Sequence, residues 1–564
     1  MKISSFDIFD TCLVRKCGTP ENFFDVFSLK VFNHEVPEWA RQEFVAARRL
    51  TEQKLWRENP RYTLQDIWVE FDWSHQFLKP KKELCQLEQE LEREMLVPVL
   101  SMRDKVNECR KYGDKIIFIS DMYLSSDFLI DILRNYGFYQ DGDALYVSCE
   151  CGAMKWDGEL FEYVCKQENL PSFRHWHHYG DNKQGDYNSP KKLGIKCTLI
   201  NHAYTPYQRH WINNDYSAGM KIKAVIAGLS RAICLTTPYN THQVFLTDIV
   251  SPLFSSFVYR IMKNASERGI KRLYFCARDA YTIYLIALKY RDIFPDVEPK
   301  YLYISQKSLY RGNQTACLQY FIQEGLATTS ESIALVDIRS TGKTIAYINN
   351  LLETNGFKRV RGYYFEIIKS SNVPYKGEEV IAEWQDVYAK LNPRCGRISS
   401  FWQIYEMFFS IHNQNRTIDY VIKEDGKAYP VFDEGSNSDI EEKKVGNAYV
   451  IDSKKWEKIH HNVILSYTDM FKSTSMYLFS DIIFEEIAMP TFIRFMELPL
   501  REYSIALKEL YVYSNNKGRY IPYVQKESLL HLLITRGNDT YWKRATKILS
   551  LPQWIVDFYE RKYN

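Results

Sequence analysis

The stretch Phe6-Asp7-Ile8-Phe9-Asp10-Thr11 decides how the first part of this chain is read. It closes an apolar run, Lys2 to Ile8, dense enough to be the buried centre of a parallel sheet. Further strand-like runs end in polar residues. Lys115 to Ile119 leads into Ser120-Asp121. Leu145 to Ser148 precedes the turn Cys151-Gly152-Ala153-Met154 and then Lys155. His175 to Tyr179 leads into Gly180-Asp181-Asn182, with Asp186 four residues beyond Asn182, and a last strand is expected at Thr198 to Ile200. Helical runs such as Asp127 to Asn135 and Leu160 to Glu168 separate them. This alternation predicts a doubly wound parallel sheet, whose ligands collect at the carboxyl ends of strands.

A carboxylate, a hydroxyl, an ammonium and a late pair of acids at those ends suit phosphoryl transfer. Asp7 is the candidate nucleophile. Ser120 and Lys155 are placed to hold phosphate oxygens, and Asp181 and Asp186 to hold Mg²⁺ through oxygen. In order, the four segments resemble the four motifs of the haloacid dehalogenase (HAD) superfamily over roughly residues 1–200. The wording of Phe6 to Thr11 and of Ile119-Ser120-Asp121-Met122-Tyr123 is similar to a bacterial subgroup often associated with surface-polysaccharide biosynthesis.

The resemblance implies that Asp7 becomes an aspartyl phosphate and that Asp7, Asp181 and Asp186 bind Mg²⁺ with the Phe9 backbone carbonyl. It implies that Thr11 supports the loop and Asn182 orients an acid or a water, and that a helical cap lies at about 16–100. One departure stands out: Phe9 occupies the position where phosphatases of this superfamily usually carry a second Asp. Either the turn is twisted enough for Asp10 to serve, or the general acid is absent, at a cost of roughly 10²–10⁴-fold in rate. An already acidic leaving group, such as a diphosphate, suffers least. Plainer roles compete: Asp7 as a strand-end cap, Asp121 as a helix cap or substrate contact, and His175, His177 and His178 as packing or surface residues on alternating strand faces.

Leu84, Leu87, Leu91 and Met95 line one face of a helix in the cap, with Glu and Arg on the others. Pro206 to Asn214 reads as a polar link. A second alternation follows, with strands at Arg272 to Cys276, Tyr301 to Ile304, Ile333 to Val336 and Gly362 to Phe365, and helices such as Tyr281 to Tyr290 and Lys343 to Leu352. After Val336 comes Asp337-Ile338-Arg339-Ser340-Thr341-Gly342-Lys343-Thr344. It lacks the first Gly of a Walker A loop and looks more like the phosphoribosyl pyrophosphate loop of phosphoribosyltransferases. That likeness implies Asp337 on ribose hydroxyls and Ser340, Thr341, Gly342, Lys343 and Thr344 around a phosphate, although Val336 stands where the first acid belongs. Arg278, Asp279 and Ser305 end neighbouring strands and are placed to complete a pocket; the plainer alternative is a helix capped by Ser340 and Thr341.

The 564 residues exceed what one core serves, so several domains are expected: an α/β HAD-like domain at 1–205, a second Rossmann-like or phosphoribosyltransferase-like α/β domain at 216–423, and a mainly helical region at 430–564. Glu424 to Lys444, rich in charge, Gly and Ser, marks the second boundary, and Ile464 to Tyr513 reads as helical. A net charge of +3 argues against a nucleic-acid partner, and no apolar run is long enough for a membrane span. The 12 Cys form no zinc spacing, which suits reduced thiols in the cytoplasm. The expected function is a cytoplasmic, Mg²⁺-dependent phosphatase or phosphotransferase for a phosphorylated sugar or nucleotide-like molecule. Two alternatives stand beside it: a bifunctional enzyme with phosphoribosyl transfer, and a catalytically weak HAD-fold scaffold in polysaccharide biosynthesis.

Overall fold

A computed structural model describes residues 2–32, 35–59, 61–215, 219–237, 243–340, 342–367, 380–381, 415–433, 444–445, 448–449, 453–497, 499–506, 511–514, 519–522, 525–528 and 543–560. They fall into two compact units: Met1–Tyr239 with Met470–Met476, and Asn240–Asp469 with Tyr477–Asn564.

In the first unit the chain runs through β1 (Ile3–Phe6) and β2 (Leu13–Arg15), returns at β3 (Leu96–Pro98), and continues through β4 (Lys115–Ser120), β5 (Ala144–Val147), β6 (Trp176–Gly180) and β7 (Lys196–Leu199). Five of these form a parallel sheet in the order β5-β4-β1-β6-β7, so β1 is central. All four of its residues are buried, because helices cover both faces of such a sheet. From β1 the chain fills one side through β4 and β5, then crosses to β6 and β7. The reversal of winding therefore lies between β1 and β6, where the strand ends leave a crevice.

The antiparallel pair of β2 and β3 closes the base of a helical insert. Its helices are Pro20–Phe32, Glu38–Glu58, Leu64–Glu70 and Lys81–Met95. Rings fill the insert's core, where the Trp68 ring lies 4.9 Å from that of Phe71, 6.0 Å from that of Phe27 and 6.3 Å from that of Phe44. In Lys81–Met95 the apolar face includes Leu84, Leu91 and Met95, but Leu87 is only half-buried while Glu88 and Glu92 are buried. The reason is pairing. Glu88 accepts from Arg48 at 2.6 and 3.0 Å and from the Trp68 indole at 3.0 Å, and Glu92 accepts from Arg15 Nε at 2.7 Å. A charge leaves water only with such partners.

The stretch expected as a polar link is a helix, Pro206–Asn213. Thr205 and Gln208 form a reciprocal capping box, and Tyr207 and Trp211 bury beneath the polar residues. The next helix, Ile222–Thr236, packs on β2, β3 and the helix Leu100–Lys111, so the first unit extends past the expected limit of 205. Gly228 makes this possible: a Cβ there would lie 2.3 Å from the Gly18 nitrogen.

In the second unit β8 (Arg272–Cys276), β9 (Glu298–Leu302), β10 (Ile333–Ser340), β11 (Arg361–Ile367) and β12 (Val380–Ile381) form a parallel sheet in the order β12-β11-β10-β8-β9. β9 begins earlier than its sequence suggested because Pro299, which donates no hydrogen bond, is tolerated on an edge strand. The boundary expected at 424–444 begins inside a hairpin of β13 (Thr417–Ile422) and β14 (Ala428–Phe432), whose turn holds Gly426 at φ +75°. Tyr420 of this hairpin stacks on Tyr320 at 5.1 Å and donates to the Tyr303 carbonyl, which ties it to the sheet domain. The later helices include Ser453–Ser473, Met489–Glu497, Arg501–Ala506, Lys543–Ser550 and Gln553–Glu560, but Tyr511–Ser514 is a strand paired with Arg519–Pro522. They share the second unit with the sheet rather than forming the separate region expected at 430–564. Among the described residues no helix is long and apolar enough to cross a membrane.

Gly228→Ala is expected to destabilise the first unit by about 1–3 kcal/mol through overpacking. Denaturant unfolding checks this; wild-type stability would show that Ile222–Thr236 is not locked against the Gly18 turn.

Candidate active site

Register places the sequence's strand ends side by side. Phe6 pairs with Phe118 and with Tyr179, so Asp7 emerges between the ends of β4 and β6. Its N–H donates to the Tyr179 carbonyl at 2.8 Å. Lys155 reaches in from the turn after β5, and its Nζ donates to Asp7 Oδ1 at 2.5 Å and to Asp186 Oδ1 at 2.7 Å. All three side chains are buried.

Several local devices hold this arrangement. Asp121 accepts the Lys155 N–H at 2.9 and 3.1 Å, which fixes the turn from which the ammonium projects. It therefore does not cap the following helix, where Ser125 serves. Asn182 caps the turn Lys183–Asn188 through its side chain, accepting from the N–H groups of Gln184 and Gly185, and its own N–H donates to Asp186 Oδ2 at 2.9 Å. Gly180 is required by close approach, since a Cβ there would lie 2.4 Å from Asp186 Cγ. Thr11 donates to Asp181 Oδ1 at 3.3 Å rather than only supporting its own loop. Ser120 ends β4, is 1% exposed, and its hydroxyl has no side-chain partner among the described residues.

The electrostatics follow from burial and charge. Burial works against the Lys155 charge, but Asp186 and then Asp7 hold its pKa above the ordinary lysine value. Burial would raise Asp186, yet Lys155 and His178 hold it below the usual carboxylate range. Asp7 is pushed well above that range, chiefly by burial and against the pull of Lys155. Asp181 is raised by burial and by the nearby charges of Asp10 and Asp186. Asp7, Asp181 and Asp186 offer oxygens within 4.8 Å of one another, so one ammonium faces three acids. That excess of negative charge on oxygen donors fits a hard divalent cation such as Mg²⁺.

The Phe9 ring lies 4.7 Å from the Arg15 guanidinium, which Glu92 holds, so a non-ionisable group occupies the expected acid position. Asp10 has a left-handed backbone, φ +54°, and its carboxylate lies 3.7 Å from Arg231 on the helix Ile222–Thr236. Arg231 also donates to Tyr204 Oη at 3.2 Å, and His202 Nε2 donates to the Thr11 carbonyl at 3.1 Å. No motif pointed to Arg231 or His202; Arg231 lies on an amphipathic helix that follows what read as a link, and His202 lies just before that link. The three histidines separate: His175 is exposed, His177 meets Thr198 and Tyr179, and His178 alone faces Asp186.

In the second unit the chain leaves β8 for β9 on one side and returns to β10 on the other, so the winding reverses between β8 and β10. Asp337 lies one residue beyond the paired Val336 and Phe275. Burial, helped by the charge of Asp279, pushes it up to about 7. Tyr281, Tyr284 and Tyr303 surround Tyr301 with ring centroids 5.2–5.5 Å away. The helix Lys343–Thr354 starts after Gly342, at φ +81°, and that position supplies no side-chain cap. Lys343 is exposed and Thr344 half-buried; Ser340 lies within β10, and Thr341 lies outside the described residues. Ser305 does not complete a pocket: it forms a capping box with Ser308 and donates to the Thr417 carbonyl at 2.6 Å.

Asp337 takes up its proton near pH 7 in the folded chain and nearer pH 4 when unfolded. Folded stability should therefore gain from this group as pH falls from 8 to 5.5, and Asp337→Asn should flatten that gain. Thermal unfolding across this range checks it; parallel pH profiles for the two proteins would refute it.

No protein-family model and no curated protein matches the sequence. Solved structures do. A HAD phosphatase from Thermococcus onnurineus is 18% identical with a TM-score of 0.27, over 36% of this chain and 87% of that one. A 2-haloacid dehalogenase from Pseudomonas syringae is 13% identical with a TM-score of 0.27, over 36% and 87%. An L-2-haloacid dehalogenase from Xanthobacter autotrophicus is 12% identical with a TM-score of 0.29, over 40% and 86%.

Proposed function

We propose that the first unit is a HAD-type, Mg²⁺-dependent phosphohydrolase that works through an aspartyl phosphate on Asp7. The observation that carries this reading is the Lys155 ammonium bridging Asp7 and Asp186 at the end of the central strand. Asp7 Oδ attacks phosphorus, and the electron pair of the breaking P–O bond leaves with the leaving-group oxygen. Ser120 and Lys155 hold the transferring oxygens as charge moves onto them. Water then attacks the aspartyl phosphate at phosphorus, restoring the Asp7 carboxylate and releasing inorganic phosphate. Asp7, Asp181 and Asp186, with the Phe9 carbonyl, would hold Mg²⁺, which supplies neutralising charge for the phosphoryl group.

The substrate is a phosphorylated sugar or nucleotide-like small molecule in the cytoplasm. Phe9 under Arg15 favours a leaving group that departs without a donated proton, such as the phosphate of a diphosphate. Arg231, beside Asp10 at the same loop, adds positive charge suited to that anion. Beryllium fluoride with Mg²⁺ should bind the wild type as a phosphoryl mimic, and Asp7→Asn should abolish both that binding and phosphate release across a panel of sugar phosphates and nucleotides. Failure of the wild type to bind would leave a scaffold role; an unchanged rate in Asp7→Asn would exclude this nucleophile.

A second reading concerns the second unit. Its reversal point between β8 and β10, with Asp337 where β10 runs on past the end of its pairing with β8 and a helix start beside it, supports binding of a sugar phosphate. Titration with phosphoribosyl pyrophosphate should give saturable binding that Asp337→Ala weakens. Identical curves for the two proteins would remove this site.

A further inference from the structure

Behind the proposed site runs a buried polar chain, Trp176–Ser5–His178–Asp186, which joins β1 to β6 and ends on one of the three clustered acids. Ser5, His178 and Asp186 are 0% exposed and Trp176 is 1% exposed, so their hydrogen bonds are made within the protein and not to bulk water. The Trp176 indole, which only donates, lies 2.7 Å from Ser5 Oγ. Ser5 Oγ lies 2.7 Å from His178 Nδ1, and His178 Nε2 lies 3.1 Å from Asp186 Oδ1. Asp186 Oδ1 also accepts from Lys155.

These contacts assign every proton. Asp186 Oδ1 is an acceptor, so His178 Nε2 must carry hydrogen; two lone pairs at that distance would repel. Ser5 Oγ accepts the indole N–H and has one proton of its own to give. Nδ1 is the neighbour placed to take it. The set is complete with a neutral imidazole protonated at Nε2. Asp186 then has both oxygens committed: Oδ1 to Lys155 and His178, and Oδ2 to the Asn182 N–H.

We infer that His178 is a positioning residue for a divalent cation. Through the Nε2–H tautomer that Ser5 imposes, it holds the Asp186 carboxylate in place beside Asp7 and Asp181. This inference rests on the phosphohydrolase reading and adds the residue that orients its acid. Outer partners of this kind typically change metal affinity by about 10–100-fold when removed.

The test uses the full chain. Mg²⁺ binding is measured by titration calorimetry, and the ring tautomer of His178 by ¹⁵N nuclear magnetic resonance. His178→Phe keeps an apolar ring and removes both nitrogens; it should weaken Mg²⁺ binding about 10–100-fold. His178→Gln, whose amide can still donate to Asp186, should recover part of that loss. Ser5→Ala keeps the strand and removes the hydroxyl that makes Nδ1 an acceptor. It should weaken binding in the same direction, and it keeps the inference testable if His178→Phe does not fold. A folded His178→Phe or Ser5→Ala with wild-type Mg²⁺ affinity, or a wild-type ring protonated at Nδ1, overturns the inference alone. A wild type that binds no Mg²⁺ overturns the phosphohydrolase reading and, with it, this role for His178.

Discussion

The first unit depends on one buried charge, the Lys155 ammonium. It sits between Asp7 and Asp186 with almost no access to solvent, where an unpaired charge would be prohibitive. Its position has three sources: the turn after β5, the Asp121 carboxylate that fixes that turn, and the reversal of winding that puts β6 beside β1. One ammonium does not balance three acids, and burial first, then the neighbouring carboxylates, raises Asp7 and Asp181 above the usual carboxylate range. The same imbalance suits the site to a divalent cation. Structure and chemistry share that constraint.

A second set of buried charges links the loop after Asp7 to the helical insert. Glu92 holds Arg15, and Arg15 covers the Phe9 ring. Arg48, on Glu38–Glu58, pairs with Glu88 and lies 5.5 Å from the ring of Tyr123, just beyond Ser120 and Asp121. The insert is thus tied to the loop after Asp7 through the Glu92–Arg15 ion pair, and to the loop after Ser120 through the Arg48 guanidinium over Tyr123. Removing one partner of such a pair costs far more than the pair contributes, about 3–5 kcal/mol. Glu88 and Glu92 therefore occupy positions that simple amphipathic patterning assigns to solvent.

Much of the sheet was legible because its signal is local. Apolar runs ending in Asp7, Ser120, the turn before Lys155, and Gly180-Asp181 located β1, β4, β5 and β6 to within a residue or two. Asp186 was legible from the spacing of its motif. Polar segments were misread for a physical reason: hydrophilic composition does not distinguish a loop from a capped surface helix or a packed hairpin. Pro206–Asn213 buries Tyr207 and Trp211 under polar neighbours, and the stretch from Glu424 opens in the turn of a hairpin that Tyr420 anchors. Ser305 read as a site residue because a hydroxyl at a strand end suits a cap and a ligand equally; its bonds to Ser308 and Thr417 decide for the cap.

The sequence by itself determined the candidate site groups and the strand ends that carry them, because both follow from residue type and hydrophobic period along one short segment at a time. Only the tertiary structure decided how those groups are used. Asp10 is turned to Arg231, 221 residues away in sequence, and Ser5 meets His178 across a separation of 173. Such pairings depend on which strands become neighbours and on what burial forbids. A buried polar atom must find its partner wherever the fold brings one, and no local pattern records that choice.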